Sequence, residues 1–184
     1  MDKYKFKGPF KFEGANSIFD EISGVVNGVY LWCVKNNANS FLVYYVGESV
    51  DIKNRMYDHL KNQLEGKYTG HCPDLLKNNI CVLMHRACIG MVPRFSHMDK
   101  NTYNQNFVDN LYLFYSPLPV NGQKDDDKWL RCRFETGIVT HIEDQGQNIV
   151  NVGHLRYWKE ENEQVLLSSG DNKIESISNE IVTI

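Results

Sequence analysis

Two runs dense in β-branched and aromatic residues, Gly28 to Val34 and Phe41 to Val46, flank the polar segment NNANS. That pattern predicts a β-hairpin. Gly47 ends its second strand, and Asp51 can cap a helix that carries Arg55 and His59 four residues apart on one face. Upstream, residues 2 to 14 alternate lysine with tyrosine and phenylalanine, a period-two pattern of an edge strand or extended arm. Asn16-Ser17 starts a short helix through Ile18, Phe19 and Ile22. Downstream, Glu65 to Asn79 is a polar excursion with a short helix over Asp74 to Lys77. Ile80 to Ile89 reads as a third strand, with a helix as its alternative. Gly90 to Tyr103 is loop-like. Asn104 to Tyr115 sets Phe107, Leu111 and Phe114 at helical spacing. A loop with an Asn-Gly turn follows. Asp127 then caps a helix over Lys128 to Ile142, whose buried stripe is Leu130, Phe134, Ile138 and Ile142, with Glu135 at its margin. Val152 to Trp158 reads as a last short strand.

The 184 residues suit one domain, taken as 1–158, followed by an acidic polar tail, 159–184. The tail is expected to be partly disordered, or to dock its final IVTI as a strand. Formal net charge is -3. Setting aside the two basic and six acidic side chains from Lys159 onward leaves 18 basic and 17 acidic residues, so the acid excess lies in the tail. A near-neutral body still binds polyanions through local basic patches. No apolar run has the length of a membrane span, and MDKYKFKGPFKFEG has no apolar signal core. Five irregularly spaced cysteines suit free thiols in a cytoplasmic protein.

The hairpin and helix resemble the GIY-YIG nucleases. The two tripeptides stand as Gly28-Val29-Tyr30 and Tyr45-Val46-Gly47. Arg55 lies ten residues past the second motif tyrosine, and His59 follows a turn later. The resemblance spans about Gly28 to His154. It implies an α+β fold, a small, mainly antiparallel three-stranded sheet flanked by helices, with inserted loops. It also implies a metal-binding Glu135 on a later helix and an asparagine beyond it, Asn151, with Asn148 as its competitor. The implied cofactor is Mg²⁺ or Mn²⁺, and the implied partner is double-stranded DNA.

Phosphodiester hydrolysis needs a positioned water, a base, and positive charge around the developing oxyanions. Arg55 can hold a phosphate bidentately; its alternative is a surface arginine paired with Asp51 or Asp58. His59 can accept a tyrosine proton or bind a phosphate oxygen; its alternative is a half-buried helix histidine. Glu135 suits a hard cation; composition alone reads it as a solvated helix glutamate. The resemblance implies Tyr30 as general base or water-orienting group, and Tyr45 as a donor to phosphate or water. A nearby metal-bound water, arginine or histidine can favour the phenolate. Strand alternation puts Tyr44 on the opposite face. Glu48, after Gly47, departs from repair-type members that carry lysine; it repels phosphate unless it points away or helps hold the metal.

Lys3, Lys5, Lys7, Lys11, Lys77, Arg86 and Arg94 are candidate DNA contacts. With no second hydrophobic pattern and no linker, a stand-alone restriction-type enzyme is favoured, and a palindromic site would call for a homodimer. A structure-specific nuclease and a non-cleaving nucleic-acid-binding module are the alternatives. His71, Cys72, Cys81, His85 and Cys88 lack paired zinc spacing, so a zinc-stabilised interaction protein is the weaker third reading.

Overall fold

The computed structural model describes residues 1–68, 70–80, 83–85, 99–150 and 163–184. The hairpin is present as β3 (Gly28–Lys35) and β4 (Phe41–Ser49), paired antiparallel. Strands β1 (Lys3–Lys5) and β2 (Lys7–Phe10) and helix α1 (Ile18–Glu21) precede it. The period-two lysines are therefore edge-strand positions, and Ser17 caps α1 by accepting from the Phe19 N–H. Helix α2 (Ile52–Leu64) follows the hairpin, with Asp51 as its N-cap. Then come β5 (Gly70–His71), α3 (Pro73–Leu76), β6 (Leu83–His85), α4 (Lys100–Asn110), β7 (Leu111–Pro117), α5 (Lys124–Asp144), β8 (Gln164–Ser168) and β9 (Ile181–Thr183).

The architecture is α+β. The main sheet is antiparallel, in the order β2-β7-β3-β4. Its third hairpin-adjacent strand is β7, which corrects two expectations. Leu83–His85, the described part of the run expected as third strand, pairs with β5 in a separate two-stranded sheet. The helix expected over Asn104 to Tyr115 stops at Asn110, because Leu111 turns extended and LYLFYSP continues as strand. Phe107, Leu111 and Phe114 fit helical spacing only because β7 is covered on both faces, which erases the alternation that marks a strand. The helix expected from Lys128 begins earlier, at Lys124. Asp127 lies inside its first turn, and its Oδ1 accepts from the Asn121 N–H at 2.7 Å. The strand expected over Val152 to Trp158 lies outside the described residues.

Each face of the sheet carries its own core. Val29, Leu31, Cys33, Val43 and Val46 pack with Phe134, Ile138 and Ile142 of α5. Tyr30, Trp32, Val34 and Tyr44 pack with Ile18, Ile52, Met56 and Phe107 of α1, α2 and α4. A register shift puts Tyr45 opposite Trp32 and Val43 opposite Cys33, so Tyr44 is an extra residue in β4. Alternation would send Tyr44 to the far face. The bulge instead sets Tyr44 and Tyr45 both against Trp32, with ring centroids at 6.1 and 5.2 Å.

The polar tail is part of the fold. β8 pairs parallel with β1 and antiparallel with β9. Val165, Leu167, Ile174, Ile177 and Val182 are buried in the α5-side core. Each such side chain contributes about 1.5–3 kcal/mol. Polar residues between them mask this pattern in the sequence. Helix α5 meets the tail at Gly137, where a Cβ would lie well under 3.0 Å from the Thr183 carbonyl oxygen.

Gly137→Ala therefore tests the docking. Alanine is favoured over glycine in a helix by about 1 kcal/mol. Against a backbone oxygen it should nonetheless lower stability by about 1–3 kcal/mol. Urea unfolding measures this, and a gain in stability would contradict the close approach of tail and helix.

Candidate active site

Tyr30 pairs with Gly47 across the hairpin, and its ring lies over that glycine. A Cβ at position 47 would come well under 3.0 Å from Tyr30 Cζ and Oη. The phenol thus reaches α2, where Tyr30 Oη and His59 Nε2 are 2.6 Å apart. His59 is 4% exposed. Trp32, Tyr68 and Tyr45 ring it at centroid distances of 4.8, 5.4 and 5.9 Å. Arg55, one turn before His59, hydrogen-bonds the Tyr30 phenol, and the Tyr30 and Tyr45 hydroxyls share a hydrogen bond.

Burial, joined by the Arg55 charge, pushes His59 down to about 3. The imidazole is therefore neutral. Burial also holds the Tyr30 phenol well above its ordinary value; Tyr45 adds to this and Arg55 opposes it. Tyr45 is raised by burial and then by the Glu135 charge. Arg55 does favour the phenolates, but desolvation outweighs the guanidinium, and both phenols keep their protons.

Glu135 arrives from the other face of the sheet, on α5. Its charge acts on Tyr45, and it feels Glu48 and Arg55. Burial and the Glu48 charge push its carboxyl up to about 7, with Arg55 opposing. Glu48 lies opposite Val29, on the α5 side of the sheet, and its Oε2 accepts from Arg131 Nε–H at 2.5 Å. The two faces meet here because β4 is the end strand of the main sheet. Among the described residues, those after α5 cover its earlier part: the Gln147 amide donates to the Val43 carbonyl, and the Val150 N–H to that of Tyr44 at 2.7 Å.

The remaining candidates separate. Asn148 donates from its backbone N–H to Asn79 Oδ1 at 2.7 Å and from Nδ2 to the Asn79 carbonyl at 2.5 Å. Asn151, Arg86 and Arg94 lie outside the described residues, as do Cys81 and Cys88. Lys3, Lys5 and Lys7 are exposed, with Lys7 Nζ 5.6 Å from the Tyr115 ring centroid. Lys11 is engaged within the fold, donating to the Asp109 carbonyl at 2.6 Å and lying 3.8 Å from the Tyr112 centroid. Lys77 is half-buried. Among the described residues, no three His, Cys, Asp or Glu side chains gather in a metal-ligating group. Sequence reasoning passed over Tyr68 and Arg131. Arg131 had one local signal, its place one helical turn before Glu135.

Two phenols, a guanidinium, a neutral imidazole and a carboxylate thus gather from a hairpin, the helix after it and a distant helix. Residues 26–86 match the family model of the GIY-YIG catalytic domain. The match covers β3, β4 and α2, the elements that carry Tyr30, Tyr45, Arg55 and His59. It ends before α5, so the place of Glu135 beside Tyr45 and Arg55 comes from the geometry alone. No curated protein and no solved structure matches the chain.

The opposing shifts of His59 and Glu135 can be read in metal-free buffer. Between about pH 5 and 6.5, unfolded His59 binds a proton that the native residue lacks, so stability rises with pH. Native Glu135 holds a proton that the unfolded residue has lost, so stability falls with pH. Each slope is about 1.4 kcal/mol per pH unit, and in the intact protein they oppose. Urea unfolding should show stability climbing with pH in Glu135→Gln and falling in His59→Gln. Slopes of the same sign in the two variants would contradict the assignment.

Proposed function

We propose that the protein is a divalent-metal-dependent DNA endonuclease that hydrolyses phosphodiester bonds and cuts both strands of duplex DNA at a short recognition site. The observation that carries this reading is the hydrogen bond between Tyr30 and a neutral, buried His59, with Arg55 and Glu135 beside it.

The residues fit a hard cation. Glu135 is a half-buried carboxylate disfavoured by desolvation and by Glu48, and a cation there relieves both penalties. Mg²⁺ or Mn²⁺ retains most of its waters and needs only one or two protein carboxylates, so Glu135 would hold it. When bound, it would supply Lewis-acid stabilisation of charge on the phosphoryl oxygens.

The chain's own groups would do the rest. Arg55 donates to the non-bridging oxygens, and Tyr45 hydrogen-bonds the same phosphate. Tyr30 takes a proton from the attacking water while its own proton passes to His59 Nε2. The water oxygen bonds to phosphorus as the bond to the leaving oxygen breaks, and a solvent water protonates that alkoxide. His59 is a weak base in the free protein partly because Arg55 faces it. A phosphate on Arg55 cancels that charge, so substrate binding itself raises the basicity of the imidazole.

The exposed lysines of β1 and β2, with Lys77, Arg86 and Arg94, are the proposed backbone contacts, and Asn151 the proposed loop anchor. Lys11, whose ammonium is taken up by the Asp109 carbonyl, is not among those contacts. A two-fold homodimer would present one site to each strand.

The test is digestion of plasmid and phage DNA with Mg²⁺ or Mn²⁺, against a chelator control. Discrete fragments ending at a short palindrome are expected. Tyr30→Phe should lower kcat by about 10²–10⁴-fold. Glu135→Gln should abolish cleavage with an unchanged circular dichroism spectrum. Cutting confined to flaps, junctions or lesions would replace this reading with a structure-specific nuclease. DNA binding without cleavage under either metal would replace it with a non-cleaving module.

A further inference from the structure

Glu48 and Arg131 take no part in the reaction above, yet both sit at its edge. Arg131 is 4% exposed. Its Nε–H donates to Glu48 Oε2 at 2.5 Å, and its Nη1–H donates to Asn27 Oδ1 at 2.6 Å. Asn27 in turn donates from Nδ2 to the Leu118 carbonyl at 3.3 Å, and its own carbonyl accepts from the Leu118 N–H at 2.9 Å. One guanidinium therefore ties α5 to the end of β4, to the residue before β3, and through Asn27 to the residue after β7.

The position of this tie on α5 matters. Arg131 and Glu135 are four residues apart, so they lie on one face, one turn from each other. Fixing Arg131 against the strand ends fixes both the rotation of α5 and its place along its axis at Glu135. Stability alone is a poor reason for such a group. Desolvating a guanidinium and a carboxylate costs several kcal/mol, and apolar residues of similar volume often hold elements together at least as well. What the fork supplies is direction, since two donors at fixed angles meet acceptors on two different strand ends.

We infer that Arg131 and Glu48 are positioning residues that set Glu135 against Tyr45 and Arg55, and so set the cation affinity of the site. The inference rests on the nuclease reading above. Glu48 acts here as a hydrogen-bond acceptor for Arg131 rather than as a ligand of the cation. That choice separates two substitutions: Glu48→Gln keeps an acceptor for the guanidinium, whereas Glu48→Ala removes it.

The experiment is a Mn²⁺ titration of the full chain, read by the electron paramagnetic resonance signal of free Mn²⁺, alongside melting curves and DNA cleavage kinetics. Glu48→Ala and Arg131→Met should each lose about 10–100-fold in Mn²⁺ affinity and in kcat, with KM for DNA nearly unchanged. Glu48→Gln keeps the acceptor and loses only the Glu48 charge, so it should lose clearly less Mn²⁺ affinity than Glu48→Ala. A fall in melting temperature with unaltered Mn²⁺ affinity and kcat would reduce the pair to a structural brace and overturn the inference. A Glu48→Gln loss as deep as that of Glu48→Ala would overturn it in favour of direct ligation. If Arg131→Met does not fold, the two Glu48 variants decide alone. Mn²⁺ binding without cleavage would sink the nuclease reading and leave the affinity comparison to judge the positioning. An unsubstituted protein that neither binds Mn²⁺ nor cuts DNA would sink both.

Discussion

The seat of the Tyr30 ring on Gly47 is the constraint from which the site follows. Only a residue without a Cβ lets a phenol lie flat over the neighbouring strand. The ring then extends past β4 and places its oxygen at His59 Nε2. From that contact the rest is arranged by sequence distance. Arg55 is one helical turn from His59, and Tyr45 lies two residues before the glycine. A larger residue at position 47 would lift the ring and uncouple the phenol from the imidazole, with Tyr30 and His59 themselves unsubstituted.

The second organising feature is the end strand. In most sheets the side chains of opposite faces never meet, because the sheet lies between them. Here Glu48 and α5 belong to one face, and Arg55 and His59 to the other. They come together past the margin of β4. The bulge at Tyr44 contributes by setting two consecutive tyrosines on one side, one filling the core and one facing the site. Low dielectric on both sides then explains the electrostatics. Tyr30, Tyr45, His59 and Glu135 are buried enough to be pushed toward their neutral forms while Arg55 stays charged, and each becomes responsive to charge brought by a ligand.

How much of this could be read from the sequence depended on distance along the chain. Tyr30, Tyr45, Arg55 and His59 sit within one hairpin and one helix, where period and capping fix relative placement. Glu135 was legible only through family resemblance, since a glutamate beside a helix stripe is ordinarily a solvated one. β7 was read as helix because burial on both faces removed its alternation. The tie between Arg131 and Glu48 spans 83 residues. Arginine and glutamate are surface residues in most contexts, so composition pointed outward for both. Docking of the final IVTI as a strand was one of two readings of the tail, but the rest of its fold was hidden in the same way, its apolar residues being spaced among serines, glutamates and asparagines.

The parallel pairing of β1 with β8 joins Lys3 to Leu166. Arg133 on α5 donates to the Ile184 carbonyl at 2.7 Å, and Gly137 abuts Thr183. The helix that carries Glu135 therefore has its full seat only once the strand at residues 181–183 is in place. On a translating ribosome the hairpin, with its tyrosines, arginine and histidine, emerges more than a hundred residues earlier. Contacts of such long sequence separation form late, after loop closure has been achieved. A nascent chain would thus display Tyr30, Tyr45, Arg55 and His59 long before Glu135 is set beside them. On the nuclease reading proposed above, synthesis itself would time the onset of hydrolytic competence.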